Sequence, residues 1–183
     1  MTAPKRSAVR ALLLLGAVSL FVYVADQLTK AWVIETLPEG EPVEVLGSFL
    51  QFLFVRNPGA AFSLASGATW IFSILAAVVT IVIIVLAKRI KSFAWAVVFG
   101  LLLAGTVGNL TDRLTRPGAG GEIVFGMGYV IDFIWTPWMM PAIYNIADIA
   151  IVSSMCLLVL LTLLGFKLDG TREERQAKTA DGK

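Results

Sequence analysis

The sequence predicts an all-α membrane protein, a four-transmembrane-helix bundle with a small extracytoplasmic β element and a loop over its site. Three observations carry this. The 183-residue chain is 57% hydrophobic and only 15% charged, with a mean hydropathy of +0.81, whereas soluble domains carry about 25% charged residues. Four apolar runs approach or exceed the roughly 20 residues that cross a bilayer. The basic residues gather beside those runs rather than inside them.

The elements follow in order. The first run, 11–25, reaches spanning length only when Asp26 and Gln27 are included, which puts Asp26 near the far end of the first helix. The second run, 68–87, and the third, 92–110, contain no charge. The fourth, 149–166, begins earlier, near Ala142, if Asp148 is counted inside it. Between the first two helices, Val43-Glu44-Val45-Leu46, a Gly47-Ser48 break and a run from Phe49 to Val55 predict a two-stranded hairpin. Its second strand is too apolar to face water, so it rests on the membrane surface or lines a greasy groove. Between the last two helices, Arg116-Pro117-Gly118-Ala119-Gly120-Gly121 is turn-rich and expected to be mobile. Residues 124–134 have strand character interrupted by Gly126 and Gly128. Trp135, Trp138 and Tyr144 suit an interfacial aromatic belt. Residues 1–168 are expected to form a single membrane domain, and residues 169–183 a polar, disordered cytoplasmic tail.

Orientation follows from lysine and arginine. Eleven of the fifteen basic residues precede the first helix, separate the second from the third, or follow the fourth. Both termini and the short turn at Lys88-Arg89-Ile90-Lys91 are therefore expected in the cytoplasm, and the two long connections outside. The basic start and first apolar run also fit a secretory signal peptide, but the apolar pattern continues past the usual core length to Trp32 without a clear small-residue cleavage site. A net charge of +2 points to no nucleic-acid partner. The chain has no histidine and one cysteine, which argues against a transition-metal site; no metal and no cofactor are expected. Cys156 reads as an apolar filler.

Polar residues gather at one end of every helix. The first ends in Asp26-Gln27, and the second is entered through Arg56-Asn57-Pro58-Gly59-Ala60-Ala61-Phe62-Ser63. The third ends in Gly108-Asn109-Leu110-Thr111-Asp112-Arg113, and the fourth opens with Asn145 and Asp148. By the topology above all four ends lie on the outer side. Asn109 and Asp112, and likewise Asn145 and Asp148, stand three apart and share a helix face. Gly100, Ala104 and Gly108 form a small-residue stripe for close helix packing. Several of these polar groups also have local readings. Arg113 neutralises neighbouring Asp112 as an ion pair, Asn57 shapes a turn or caps a helix, and Asp26 serves a helix end. Glu122 and the glutamates of the first connection read as solvated charges. Asp132 and Asp148 have no basic neighbour in sequence, and an ionisable group at membrane depth is costly enough to suggest function.

Two nearby carboxylates cannot both ionise easily, so they share a proton. The ionised one can take a proton from water while the protonated one donates to a substrate carbonyl, which hydrolyses a peptide without serine, cysteine or metal. Ser63, Ser153 and Ser154 have no histidine to activate them, and a serine–lysine dyad would need a lysine at matching depth, where only Lys30 comes near.

At this point five motifs in order resemble bacterial lipoprotein signal peptidase, the signal peptidase II family. They are Asp26 with Lys30, Asn57-Pro58-Gly59-Ala60-Ala61-Phe62-Ser63, Gly108-Asn109-Leu110-Thr111-Asp112-Arg113, Val130-Ile131-Asp132-Phe133 and Tyr144-Asn145-Ile146-Ala147-Asp148. The resemblance implies an aspartic endopeptidase of the bacterial cytoplasmic membrane. Its implied substrate is a prolipoprotein carrying diacylglycerol on a cysteine, cut just before that cysteine. Asp132 and Asp148 match the catalytic pair. Asn57, Asn109, Arg113 and Asn145 match polar residues that line the site and hold substrate backbone, and Asp26 and Asp112 match supporting residues. Membrane lipids and a globomycin-type inhibitor are the other implied partners, with the chain expected to act as a monomer. Tyr144 stands where phenylalanine is frequent, and the glycine-rich segment from Arg116 to Gly128 is longer than a minimal linker. The alternative function is a proton-coupled transporter using the same carboxylates as a relay. It calls for polar groups through the full depth of the bundle, whereas the second helix is almost wholly apolar.

Overall fold

The computed structural model describes residues 3–59 and 69–172. The predicted motif residues Ala60 to Ser63 and the tail from 173 onward lie outside the described residues. The chain runs α1 (Ala3–Thr36), β1 (Pro42–Glu44), β2 (Gln51–Asn57), α2 (Thr69–Ala87), α3 (Phe93–Thr115), β3 (Val130–Trp135), β4 (Ile143–Tyr144) and α4 (Ile146–Leu163). All four helices are long and apolar enough to cross a membrane. Even α4, with 18 residues, spans about 27 Å at 1.5 Å per residue.

Two boundaries differ from those the sequence suggested. Helix α1 does not stop near Asp26 but continues to Thr36. Asp26 and Lys30 lie one turn apart with 2.9 Å between Nζ and Oδ2, both buried, so these charges neutralise each other inside the bundle instead of marking the interface. Helix α3 ends close to the expected Asp112-Arg113, at Thr115. Helix α4 begins at Ile146 rather than near Ala142, because Ile143 and Tyr144 pair with Trp135 and Ile134 of β3 and Asn145 caps the helix.

Helix α3 is the core of the bundle, and α1, α2 and α4 all pack on it. Small residues bring the axes together. A Cβ at Gly100 would sit 3.0 Å from Val18, one at Gly105 would press into the carbonyl oxygen of Ala147, and one at Gly108 would lie 2.7 Å from Asp26 Oδ2. The predicted stripe thus faces α1, while Gly105 receives α4. In a membrane such close approach replaces the hydrophobic drive that lipid cannot supply.

At one end of the bundle Ser7 Oγ donates to the Lys91 carbonyl at 3.2 Å, and the Lys91 N–H donates to the Leu168 carbonyl at 2.9 Å. The start of α1, the α2–α3 turn and the chain after α4 therefore meet there, over a core of Ala11, Leu15, Ile83, Ile90, Trp95 and Phe99. The first residues of the expected tail fold back, with Lys167 N–H donating to the Thr171 carbonyl at 2.9 Å.

The other end carries an antiparallel sheet of order β1-β2-β3-β4. The hairpin is present where the sequence suggests it. The strand expected over 124–134 begins only at Val130, because Met127 closes a turn on the Val124 carbonyl and Gly126 has φ 76°. Side chains alternate across the sheet as strand geometry requires. Phe52, Phe54, Ile131 and Phe133 pack with Val33 and Leu37 of α1 and its exit, while Val55, Asn57, Val130 and Asp132 line a cavity. The apolar second strand thus covers the end of α1 with one face and walls the cavity with the other. The glycine-rich connection is tied down: Gly128 N–H donates to the Arg113 carbonyl, Tyr129 N–H to that of Pro117, and Ser73 Oγ on α2 to that of Gly126 at 2.7 Å. Trp138 stacks on Phe49 with ring centroids 4.9 Å apart, joining the two connections at an exposed apolar edge.

Candidate active site

The cavity, of about 570 Å³, lies between the sheet and the adjoining ends of α3 and α4. It is lined by Asn57, Asn109, Arg113, Asp132 and Asp148 together with Val55, Val130 and the segment from Pro141 to Tyr144. Helix α4 is aimed into it by its own cap. Asn145 Oδ1 accepts from the Asp148 N–H at 2.9 Å, and Asp148 Oδ2 accepts from the Asn145 N–H at 3.1 Å. This is a capping box, worth about 1 kcal/mol for the cap residue. Strand β3 supplies Asp132, which register places two residues on from Val130, the partner of Asn57. Asn57 and Asp132 are therefore diagonal neighbours on one sheet face.

Each of the four carboxylate oxygens of Asp132 and Asp148 accepts one N–H. Asn145 Nδ2 donates to Asp132 Oδ1 at 2.7 Å, and Asn57 Nδ2 to Asp132 Oδ2 at 2.7 Å. Asn109 Nδ2 donates to Asp148 Oδ1 at 2.8 Å, and the Asn145 backbone serves Asp148 Oδ2. Asn145 thus touches both carboxylates, which closes the gap of chain between them. Asn57 also shapes a turn, its Oδ1 accepting from the Gly59 N–H at 2.9 Å. Asp132 is 2% exposed. Burial, and then the charge of Asp148, push its carboxyl up to about 7, against the opposing pull of the two asparagine amides and of Lys30.

Asp26 and Asp112 do not reach the cavity. They are buried behind it on either side of Lys30, whose Nζ lies 2.9 Å from Asp26 Oδ2 and 2.8 Å from Asp112 Oδ2. Asp26 Oδ1 accepts from the Ala147 N–H at 3.0 Å, pinning the first turn of α4 to α1. The expected Asp112–Arg113 ion pair does not form. Neighbours in a helix point about 100° apart, and Asp112 Oδ1 instead meets Arg116 Nε, one turn on, at 2.7 Å. Arg113 turns to the cavity, where its Nη1 donates to the Asn109 carbonyl at 3.0 Å and its guanidinium lies over Phe72, 5.9 Å from the ring centre. Its buried Nε has no hydrogen-bond partner among the described residues. Lys30 is the central residue that motif spacing left without a role. The available signal was its position four after Asp26, the spacing of a helical ion pair.

Four spans, a small covering sheet and two carboxylates facing one cavity define a membrane-embedded aspartic peptidase. Residues 18–164 match the model of the Peptidase A8 family, described as signal peptidase (SPase) II. The chain belongs to that family. It is 54% identical over 168 residues to the lipoprotein signal peptidase of Leifsonia xyli subsp. xyli, covering 92% of this chain and 75% of the relative. It is 43% identical over 171 residues to that of Streptomyces coelicolor, covering 92% and 80%, and 38% identical over 160 residues to that of Mycobacterium tuberculosis H37Rv, covering 87% and 76%. A bacterial membrane enzyme solved by the in meso method at 2.3 Å resolution superposes with a TM-score of 0.71 at 28% identity, covering 87% of this chain and 93% of the other. Lipoprotein signal peptidases remove signal peptides from prolipoproteins, and the chain is such an enzyme, a multi-pass membrane protein of bacteria.

Proposed function

We propose that Asp132 and Asp148 are the catalytic pair of this peptidase, and that it cleaves diacylglyceryl-modified prolipoproteins just before the lipidated cysteine. The observation that carries the reading is the set of N–H donors, one on each oxygen of two carboxylates that face the same cavity. Such an arrangement holds both groups in place while leaving the pair to share a proton. The ionised member takes a proton from a water molecule, the water oxygen attacks the scissile carbonyl carbon, and the protonated member donates to the carbonyl oxygen. Collapse of the tetrahedral intermediate then returns a proton to the leaving amine. The pair titrates as a unit. Arg113, whose side chain lines the cavity, offers its guanidinium as a donor to a substrate backbone carbonyl. Asn57, Asn109 and Asn145 orient the pair and line its surroundings, and Asp26 and Asp112 support them from behind.

The membrane orientation follows the basic residues. The end where residues 7, 91 and 168 meet faces the cytoplasm, together with both termini, and the cavity opens near the outer face of the cytoplasmic membrane. There a lipidated cysteine anchored in the outer leaflet presents the peptide bond before it. A monomer suffices, since every group named belongs to one chain, and a globomycin-type inhibitor would occupy the same cavity. A transporter relay is disfavoured by the apolar core that fills the opposite end of the bundle.

The test uses the purified enzyme in lipid nanodiscs with a diacylglyceryl-modified prolipoprotein and its unlipidated counterpart. Cleavage before the cysteine of the lipidated form alone is expected. Asp132→Asn and Asp148→Asn should each lower turnover by about 10²- to 10⁴-fold, and near-normal turnover in either variant would remove that residue from the pair.

A further inference from the structure

Lys30 is fully buried, and the acid–base scheme above does not use it. Its ammonium has three N–H donors and no acceptor, and three oxygens surround it: Asp26 Oδ2 at 2.9 Å, Asp112 Oδ2 at 2.8 Å and Asn109 Oδ1 at 3.0 Å. All three donors are thus used. A structural clamp between α1 and α3 needs only the two carboxylates. The third contact goes elsewhere, to the asparagine that holds Asp148.

That contact has a direction. An amide can present either its oxygen or its nitrogen to a neighbour, and its partners decide which. Lys30 can only donate, so the atom of Asn109 that faces it must be Oδ1. The other end of the amide, Nδ2, is then the one that faces Asp148 Oδ1. Asn145 Nδ2 completes the arrangement, donating to the same Asn109 Oδ1 at 3.1 Å and to Asp132 Oδ1 at 2.7 Å. The buried cation therefore sets the polarity of the Asn109 amide, while that of Asn145 is set by its own cap, where Oδ1 accepts from the Asp148 N–H.

We propose that Lys30 is a positioning residue for the Asp132–Asp148 pair, fixing through Asn109 the amide donor that holds Asp148. The proposal rests on the reading of that pair as catalytic. Lys30 also acts on the pair by charge, drawing the Asp132 carboxyl down against the stronger effects of burial and Asp148.

Removing Lys30 alone would strand Asp26 as a buried charge, which typically costs several kcal/mol. The test therefore pairs Lys30→Met with Asp26→Asn. Asp112 keeps Arg116 in that protein, so no buried carboxylate loses its only cation. The double variant is compared with Asp26→Asn, with Lys30→Arg and with the wild type, measuring kcat, KM and melting temperature in nanodiscs with the lipidated prolipoprotein. Relative to Asp26→Asn, the double variant should lose about 100-fold in kcat, the scale of a catalytic group misplaced by about 1 Å, with KM and melting temperature close to unchanged. Lys30→Arg should recover part of that loss, since a planar guanidinium keeps the charge and the donors but not the three-point fit. A double variant with the kcat of Asp26→Asn, or one whose lost activity only tracks its lost folded fraction, would overturn the proposal. If the double variant does not fold, Lys30→Arg decides: a lowered kcat at normal KM supports the positioning role, and a wild-type kcat overturns it. Asp132→Asn and Asp148→Asn run alongside. Wild-type turnover in those proteins would sink the catalytic pair itself, and the role of Lys30 with it, whereas inactive aspartate variants beside fully active Lys30 variants would sink the role of Lys30 alone.

Discussion

Asn145 donates from Nδ2 to Asp132 Oδ1 at 2.7 Å, while its backbone N–H donates to Asp148 Oδ2 at 3.1 Å. One residue therefore caps α4, orients Asp148 and grips Asp132 on the sheet. These tasks separate under substitution. Asn145→Ser keeps a capping oxygen but lacks the amide donor, and Asn145→Ala lacks both. Melting should fall by more in the alanine variant, by about 1 kcal/mol of cap energy, whereas turnover should fall by at least about 10-fold in both, the scale of a lost charge-assisted hydrogen bond. Serine restoring turnover as well as stability would show that the cap alone matters.

The titration of Asp132 gives a pH dependence with a definite sign. Its carboxyl is raised from the usual carboxylate range to about 7, so the proton that the proposed pair shares is lost as pH climbs above neutrality. The rate should fall on the alkaline side, as pH climbs through about 7. Stability carries the same sign. The folded protein holds this proton more tightly than the unfolded chain, so the group's contribution is complete below the unfolded pKa and is lost as pH rises through the folded one. Melting temperature measured across that window should decline with pH, and Asp132→Asn should flatten the decline. A melting temperature in the wild type that rises with pH over the window would contradict the shift.

Among the described residues, Arg113 holds no carboxylate in an ion pair within 4.0 Å, in contrast to Arg116. Arg113→Ala should therefore raise KM by about 10-fold or more, in line with about 1.5–3 kcal/mol for a hydrogen bond from a charged donor, with a smaller change in melting temperature. Arg116→Ala should do the reverse, destabilising the fold with little effect on KM. Steady-state kinetics beside thermal unfolding would separate the two. An Arg113 variant with normal KM would place that side chain outside substrate binding.

Gly105 lets α4 press close against α3, its missing side chain facing the Ala147 carbonyl. Gly105→Ala must push the first turns of α4 outward. Overpacking of this kind costs about 1–3 kcal/mol, and turnover should drop along with stability because Asp148 rides on the displaced turn. Gly16→Ala, where an added Cβ meets nothing within 4 Å, serves as the control. Equal behaviour of the two alanine variants in melting and turnover would refute the close contact.

The gathering of polar ends was legible in the sequence because charges are rare in apolar helices, and those present at one end stand out. Asp132 and Asp148 stood out further, since no cation adjoins them in the chain. Pairings were harder to read. Asp112 and Arg113 are neighbours in sequence but point to different faces of α3, so the ion pair belongs to Arg116, one turn on. The length of α1 was hidden for a related reason: Asp26 and Lys30 read as a polar stop, yet each cancels the other inside the bundle. Lys30 reaches Asn109 across to another helix, and nothing in local spacing encodes that reach. The start of α4 was set by a two-residue strand, Ile143–Tyr144, too short to leave a periodic signal.

The four donors on the two carboxylates come from β2, α3 and the cap of α4, segments that enter the membrane at different times as the chain is made. A nascent chain that has inserted α1, α2 and α3 lacks Asp148 and both Asn145 contacts. Its Asp132 then lacks the neighbouring carboxylate with which a proton could be shared. With Asp132 and Asp148 as the proposed catalytic pair, cutting ability would arise only with the last helix, so the order of synthesis itself would keep a half-made peptidase from acting on the membrane that receives it.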